Sequence, residues 1–238
     1  MARPKVADRP CQPGSSSDED VRPHDHERTR HIGGRCHSSS SSFVAVVGIL
    51  TSSSDRSSVF TSPKYVPRGE LGYRYRADRE RQQVIDFTRS GINIHPQFTG
   101  GSLNNIATIG LEHPVTLNRY VHPIRLPRLS DTRTFEKMEG TSLGLEYNGT
   151  MRYLRNQIMS NDDCRMNTQF ICTNAYIGGA FCNRMYGAGL VVEDESGPIL
   201  IGLTNLIYSC SVNNSILYMR LSLLRDWIAN SSNYVFDF

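Results

Sequence analysis

From Phe43 onward the chain alternates between short apolar runs and stretches of turn residues. The clearest runs are FVAVVGILTSS (43–53), IATIGL (106–111) and GPILIGLTNLI (197–207). Runs of six to eleven residues that are rich in Val, Ile and Thr, with Gly, Pro and Asn between them, are typical of β-strands. The runs do not alternate with helical segments, so the pattern predicts an all-β protein built as a sandwich or as barrels.

A helical pattern occurs only near the C-terminus, in SLLRDWIAN (222–230). Its apolar stripe consists of Leu223, Leu224, Trp227 and Ile228. Because these positions recur at helical spacing, and because Ser222 has a side chain suited to an N-cap, we predict a C-terminal helix that begins after Ser222.

Residues 1–42 form a different kind of segment, rich in Pro, Ser, Asp, Arg and His. They contain too few apolar side chains to offset the entropy of ordering, so we expect a disordered polar tail. The tail contains several metal-binding residue types, namely His24, His26, His31, Cys36 and His37. Their spacing does not follow a metal-site pattern, and we predict no metal and no cofactor.

The charge balance gives no reason to predict a nucleic-acid or a membrane partner. The 26 Lys and Arg residues stand against 23 Asp and Glu, for a formal net charge of +3, which is too small to predict binding to nucleic acid or to a membrane surface. No run approaches the roughly 20 apolar residues that cross a bilayer, so we expect a soluble protein. The N-terminal sequence also lacks the apolar centre of a signal peptide.

The cysteines point to an oxidising compartment. The six are Cys11, Cys36, Cys164, Cys172, Cys182 and Cys210. They show no C-x-x-C spacing of a zinc site, so disulfides and an extracellular location are favoured. The glycosylation sequons at Asn148, Asn213 and Asn230 agree weakly with secretion, which conflicts with the missing leader.

Several segments occur in the order that is found in the chymotrypsin-like (trypsin-fold, S1) serine proteases. They are INIHPQF, LNNIATIGLEHPVTLNRYVHPIRLP, LRNQIMSNDDC, FICTNAYIGGAFCNR, GPILIGLT and LYMRLSLLRDWI. On these motifs the chain resembles that family, and its insect members in particular, over residues 43–230. The resemblance implies two packed six-stranded Greek-key β-barrels, residues 43–125 and 126–230, with the C-terminal helix in the second unit and a short tail at 231–238.

The resemblance also implies the disulfides Cys164–Cys172 and Cys182–Cys210. The family's first strands have no counterpart ahead of Cys36, and Asp55 stands where its usual cysteine partner would be. This leaves two alternatives, an incomplete first barrel or a Cys36–Cys11 pair. TRHIGG (29–34) resembles the family's activation site, but His31 interrupts the motif, and we interpret it as chance.

The family's catalytic triad is substituted at the matching positions. The nucleophile follows a cysteine by four residues, and CNRMYGAG places Tyr186 there. Met185 likewise replaces the aspartate that receives the new N-terminus. The family's N-N-D-I-A segment reads LNNIATIG with one residue lost, so Asn105 takes the place of the aspartate, and GILTSSSDR puts Ser54 at the histidine. A phenol without an adjacent base cannot carry out the acyl transfer.

An alternative nucleophile is Ser196, in DESGPIL (194–200). The spacing from Cys182 to Gly202 and Cys210 fits the family without a gap when Tyr186 is the equivalent residue, which leaves Ser196 in a loop between two strands. The histidines outside the tail, His95, His113 and His122, each precede a proline. We expect all three to be exposed loop residues and not a catalytic base.

The substrate-binding positions differ from the family as well. Ala180 matches the base of the primary specificity pocket, so no carboxylate is present to bind a Lys or Arg side chain. Asn205 and Ile207 lie in LTNLI, the segment that in the family pairs with the substrate backbone, and Ile207 replaces a glycine at the pocket entrance. We therefore expect a closed pocket.

These substitutions predict a non-catalytic serine protease homologue that acts as a binding or regulatory protein in an extracellular protease cascade. Its expected partner is a protein, either a protease, a zymogen or an inhibitor. The alternative is an active serine endopeptidase that uses a displaced nucleophile such as Ser196.

Overall fold

The computed structural model describes residues 30–31, 44–47, 68–71, 83–118, 121–145, 151–174, 187–207, 215–232 and 234–238. Within these ranges β-strands dominate and the helices are short. The predicted all-β class is therefore confirmed. The predicted N-terminal tail, apart from residues 30–31, lies outside the described residues.

The C-terminal half contains one large antiparallel sheet. Its strands are β8 (Glu139–Leu145), β9 (Met151–Gln157), β10 (Phe170–Thr173), β11 (Gly189–Asp194), β12 (Gly197–Ile207) and β13 (Ile216–Arg220). They are arranged in the order β10-β13-β12-β11-β8-β9. A β-bridge between Ile158 and Thr173 joins the two ends of this order, so the six-stranded sheet curls into a barrel.

The N-terminal half contains shorter strands. They are β1 (Arg30–His31), β2 (Val44–Val47), β3 (Arg68–Leu71), β4 (Gln83–Asp86), β5 (Ile92–Ile94), β6 (Ala107–Gly110) and β7 (Val121–His122). β2, β6 and β5 form one antiparallel sheet, β3 pairs with β4, and β1 pairs with β7 in parallel. Whether this barrel closes stays a prediction, because residues 48–67 and 72–82 lie outside the described ranges.

The sequence predicted the C-terminal helix correctly but placed its start too early. The helix, α2, spans Arg225–Ser232, and a 3-10 turn at Leu221–Leu223 precedes it. Ser222 is inside that turn and cannot be the N-cap of α2. Leu223 is exposed, whereas Leu224 and Ile228 are buried. The 3-10 turn advances each residue by a third of a turn, and this rotates Leu223 away from the apolar stripe.

One apolar cluster joins the two halves of the molecule. It combines Ile106 and Ile124 with Leu203 and Met219 of the C-terminal sheet, and with Ile228 of α2. β12 and β13 approach closely within it, since a Cβ built on Gly202 would lie 2.9 Å from the Cβ of Tyr218. Glycine is therefore required at this crossing.

A disulfide links the short helix α1 (Asn161–Cys164) to β10. Cys164 and Cys172 are bonded, with their Cα atoms 5.6 Å apart, which is a normal separation for a disulfide. Ser160 caps the helix, because its Oγ accepts a hydrogen bond from the Asp163 N–H. The pairing is the one that the resemblance implies. Cys11, Cys36, Cys182 and Cys210 lie outside the described residues.

Candidate functional site

Asn105 lies at the point where the two halves of the molecule meet. It immediately precedes the buried residue Ile106, which leads into β6. Asn104 has a φ of 53°, a left-handed conformation that asparagine tolerates better than most residues. Asn105 is only 4% exposed, so a polar side chain points into the interior at this position.

The Asn105 side chain forms a hydrogen bond to Asn205 on β12. The Nδ2 of Asn105 donates to the Oδ1 of Asn205 at 2.8 Å, and Asn205 is also 4% exposed. The two residues are a hundred positions apart in the chain. The bond therefore joins the segment before β6 to the C-terminal barrel.

The Asn205 amide makes two further contacts. Its Nδ2 donates to the backbone oxygen of Ser102 at 2.6 Å and lies 3.4 Å from the Sδ of Met219. Gln169 reaches the same loop, with its Nε2 3.4 Å from the Oδ1 of Asn104. We call Asn104, Asn105, Gln169 and Asn205 the amide cluster; all four side chains are neutral.

A neutral cluster cannot do what a buried carboxylate does. In the Ser-His-Asp template the aspartate holds the histidine in one tautomer and stabilises the imidazolium that forms, and its replacement by asparagine lowers kcat about 10⁴-fold. Here the amide N–H of Asn105 is directed to another asparagine. The arrangement cross-links two segments but provides no charge for catalysis.

The sequence predicted positions for Asn105 and Asn205 but not the bond between them. It missed Gln169 altogether. One signal was present, because Asn205 interrupts the apolar run GPILIGLTNLI, and a polar side chain in a buried strand needs a hydrogen-bond partner.

Other predicted site residues cannot be placed. Ser54, Ala180, Met185 and Tyr186 lie outside the described residues. Ile207 ends β12, and only its backbone is described. The substituted nucleophile, the substituted histidine and the closed pocket therefore stay predictions.

Ser196 lies at the tip of the hairpin between β11 and β12, and it is exposed. Its backbone N–H donates to the Oδ1 of Asp194 at 2.9 Å, and Gly197 supplies the positive φ of 101° that the tight turn requires. An exposed hairpin tip keeps water around the hydroxyl, whereas acyl transfer depends on a site that excludes it.

The carboxylate next to Ser196 is already paired. Asp194 accepts hydrogen bonds from Arg125 at 3.0 Å and from Arg133 at 3.1 Å. Burial acts to raise the pKa of Asp194, but the hydrogen bonds from Arg125, from the Ser196 N–H and from Arg133 outweigh it and lower that pKa. A carboxylate held in the ionised form by two arginines is a poor general base.

The prediction that the three histidines outside the tail are exposed loop residues is correct for His113 but wrong for His122, which lies in β7, and for His95. His95 is only 9% exposed, and its ring lies 5.0 Å from that of Trp227 on α2. The Gln97 N–H donates to its Nδ1 at 3.2 Å. His113 is exposed, and His122 is half-buried in β7. The sequence could not reveal the contact because Trp227 is far away in the chain.

Lowering the pH below about 6.5 is expected to destabilise the protein through His95. Burial lowers the pKa of His95 in the folded state, so the unfolded chain binds the proton more readily and stability is lost as the pH falls through that range. Protonation would also remove the Nδ1 acceptor of Gln97. Urea unfolding at several pH values between 5 and 8 measures how steeply the free energy of unfolding changes with pH.

Two variants make this measurement specific. His95→Phe is expected to flatten the slope, whereas His113→Gln, at the exposed histidine, should leave it unchanged. A His95→Phe protein with the wild-type slope would show that other groups cause the loss. Asp131 and Asp194 have lowered pKa values as well, and they affect stability at a more acidic pH.

Two further features concern ligands and membranes. Among the described residues, no group of three or more His, Cys, Asp or Glu side chains is placed to hold a metal ion. None of the helices in the described part of the chain is long and apolar enough to span a bilayer.

Comparisons of the chain with known proteins agree on one family. The model of the family described as Trypsin matches residues 57–228. The chain is 25% identical over 168 residues to the "Inactive CLIP domain-containing serine protease A8" of Anopheles gambiae, covering 62% of this chain and 46% of that protein. It is 28% identical over 150 residues to a trypsin of Phaedon cochleariae, covering 56% and 57%. Trypsin-10 of Gadus morhua is 26% identical over 223 residues, covering 87% and 89%.

Solved structures share the fold. Two mutants of human heparin binding protein (CAP37) superpose with TM-scores of 0.62 and 0.65, at 18% and 19% identity. The matches cover 84% and 81% of this chain, and 85% and 83% of those chains. This likeness supports the two-barrel trypsin-like architecture with a C-terminal helix.

The chain spans only about half the length of the first two curated relatives, so the activity of a whole relative is not transferred to it. The family match covers more than half of the chain, and the architecture agrees with it. This chain belongs to the trypsin family.

Proposed function

We propose that this protein is a non-catalytic member of the trypsin family that acts by binding another protein. The observation that carries the proposal is the hydrogen bond between Asn105 and Asn205. Asn105, which the resemblance assigns to the family's aspartate position, makes a neutral, structural contact between the two halves of the molecule.

The sequence supports the same reading at the other triad positions. Tyr186 stands where the family has its serine, and Ser54 where it has its histidine. A relative described as inactive, from Anopheles gambiae, is among the similar proteins. Ala180 and Ile207 would also leave the primary pocket without a carboxylate and with a branched side chain at its entrance.

The proposed role is regulation of a protease cascade outside the cell. Rigid barrels with variable loops make a suitable binding frame once catalysis is lost. The expected partner is a protease, a zymogen or an inhibitor of this family. Titration of the folded protein into an assay of zymogen activation by a trypsin-family protease tests this role, and an activation rate that is constant over the whole titration contradicts it.

Labelling with a fluorophosphonate probe tests the loss of catalysis. The probe reacts only with an activated serine, so the wild-type protein, Ser196→Ala and Tyr186→Ser are all expected to stay unlabelled. Tyr186→Ser restores a hydroxyl but neither a base nor an aspartate, and isolated members of a triad contribute little. An active trypsin serves as the positive control, and a cooperative melting curve shows that each sample is folded.

Labelling of the wild type that disappears in Ser196→Ala would overturn the proposal. It would identify a peptidase with a displaced nucleophile. Labelling that survives Ser196→Ala would also overturn it, and would direct the search to another serine.

A further inference from the structure

The last turn of α2 contains a motif that the proposed function does not use. Asn230, Ser231 and Ser232 form an Asn-x-Ser sequon, the acceptor triplet for N-linked glycans in secreted proteins. The other sequons, at Asn148 and Asn213, lie outside the described residues. Asn230 is therefore the acceptor whose surroundings the structure shows.

Asn230 lies on the outer face of α2. Ile228 and Ser232, two residues before it and two residues after it, are buried, whereas Asn230 is exposed. Because two steps along an α-helix turn the side-chain direction by about 200°, a residue between two buried ones at this spacing points away from the core. A bulky, hydrophilic glycan on Asn230 would extend into solvent without displacing a core side chain.

The end of the helix that carries the sequon is held against the N-terminal half. The backbone oxygen of Ser231 accepts hydrogen bonds from the Nδ2 of Asn93 on β5 and from the Oγ1 of Thr108 on β6, each at 3.4 Å. This carbonyl is one of those that a helix end leaves without a partner inside the helix. The acceptor residue next to it therefore has a fixed position beside the contact between α2 and the N-terminal half.

The second serine of the sequon is already bonded in the folded protein. Ser232 is 8% exposed, and its Oγ donates to the backbone oxygen of Ile228. An enzyme that reads an Asn-x-Ser sequon binds the serine hydroxyl as well as the asparagine amide. Since the folded helix exposes the amide but buries the hydroxyl, the complete sequon can be read only before α2 packs on the barrels.

We propose that Asn230 is an N-glycosylation site, modified before α2 packs on the barrels. The donor is a lipid-linked oligosaccharide, in which the anomeric carbon of an N-acetylglucosamine is bonded to a lipid diphosphate. The Asn230 Nδ2 forms a bond to that carbon, the bond from the carbon to the diphosphate oxygen breaks, and one amide proton is released. The inference rests on the extracellular location in the proposed function, because this donor and its transferase belong to the secretory pathway.

Expression of the full chain behind a cleavable signal peptide in mammalian cells tests the site. The Asn148→Gln, Asn213→Gln double variant retains the sequon at Asn230 alone. The secreted double variant is expected to migrate as a heavier species that an N-glycosidase returns to the mass of the unmodified chain. Peptide mass spectrometry should then find aspartate at position 230, because the glycosidase converts a glycosylated asparagine to aspartate.

Two further changes in the same background make the result specific. Asn230→Gln removes the acceptor and should abolish the mass shift, whereas Ser231→Ala keeps the sequon and should retain the shift. A secreted double variant without the shift overturns the proposal, and so does a shift that survives Asn230→Gln. If the double variant is not secreted, the wild-type chain is mapped after glycosidase treatment, and an unconverted Asn230 overturns the proposal.

The order of events is tested with a purified oligosaccharyltransferase and a lipid-linked oligosaccharide. The reduced and alkylated full chain, which stays unfolded, is expected to be modified at Asn230, whereas the folded chain should not be. Equal modification of the two samples overturns the proposed order.

The glycosylation test and the test of the proposed function can fail separately. The signal peptide delivers the chain to the secretory pathway whatever its natural location, so an unmodified Asn230 counts against the site alone. A constant rate in the zymogen activation assay counts against the regulatory role alone.

Discussion

Replacing Asn205 by alanine is expected to lower the free energy of unfolding by about 2–3 kcal/mol. The change removes the acceptor of the Asn105 amide, bonded at 2.8 Å, and the donor to the Ser102 backbone oxygen, bonded at 2.6 Å. Both lost contacts are at the boundary between the two halves, where water does not easily replace them. Most of the lost unfolding free energy therefore comes from leaving the Asn105 amide and the Ser102 oxygen buried without this partner. The lost bonds themselves contribute less.

Chemical denaturation of matched variants checks this expectation. Asn93→Ala is the control, because Asn93 is exposed and makes a long bond of 3.4 Å to the Ser231 oxygen; its effect should stay within about 0.5 kcal/mol. In the Asn105→Ala, Asn205→Ala double variant the loss should be smaller than the sum of the single losses. A change of less than about 0.5 kcal/mol for Asn205→Ala would mean that the bond contributes little to holding the halves together.

The strands of the second barrel could be predicted from the sequence because positions that are buried on the inner face of a sheet require apolar residues. GPILIGLTNLI coincides with β12, Gly197–Ile207. FVAVVGILTSS was predicted as a strand over a longer span, and the described strand in it is Val44–Val47. Elements that depend on local pattern were therefore found, and the ends of the first run, before Val44 and after Val47, lie outside the described residues.

Features that depend on distant contacts could not be predicted. His95 is buried because Trp227 of α2 packs on it, and nothing in HPQF signals that contact. The 3-10 turn that exposes Leu223 has the same residue types as a helix turn. The burial of Ser142, Thr173 and Tyr218 could not be predicted either, since these residues occur singly in separate strands.

The candidate site divides in the same way. Its residues could be assigned to positions by resemblance, because the family's motifs occur in this sequence in the same order. The hydrogen bond between Asn105 and Asn205 is a property of two side chains that the fold brings together. This bond ties the loop before β6 to β12.

Replacing Ile228 by alanine is expected to cost about 2–5 kcal/mol of unfolding free energy, the range for large-to-small changes in a packed core. Ile228 is 0% exposed and belongs to the cluster that contains Ile106 of the N-terminal half and Leu203 of β12. Loss of its side chain leaves a cavity where α2 meets both barrels. The expected consequence is a large drop in stability measured by chemical denaturation.

Leu223→Ala is the matched control, since Leu223 is 56% exposed and lies in the 3-10 turn just before α2. Its effect should stay within about 0.5 kcal/mol. If the two variants lose similar amounts, the C-terminal helix does not pack on the shared core as described. If only Ile228→Ala loses stability, the helix stabilises the contact between the barrels, and with it the position of the amide cluster.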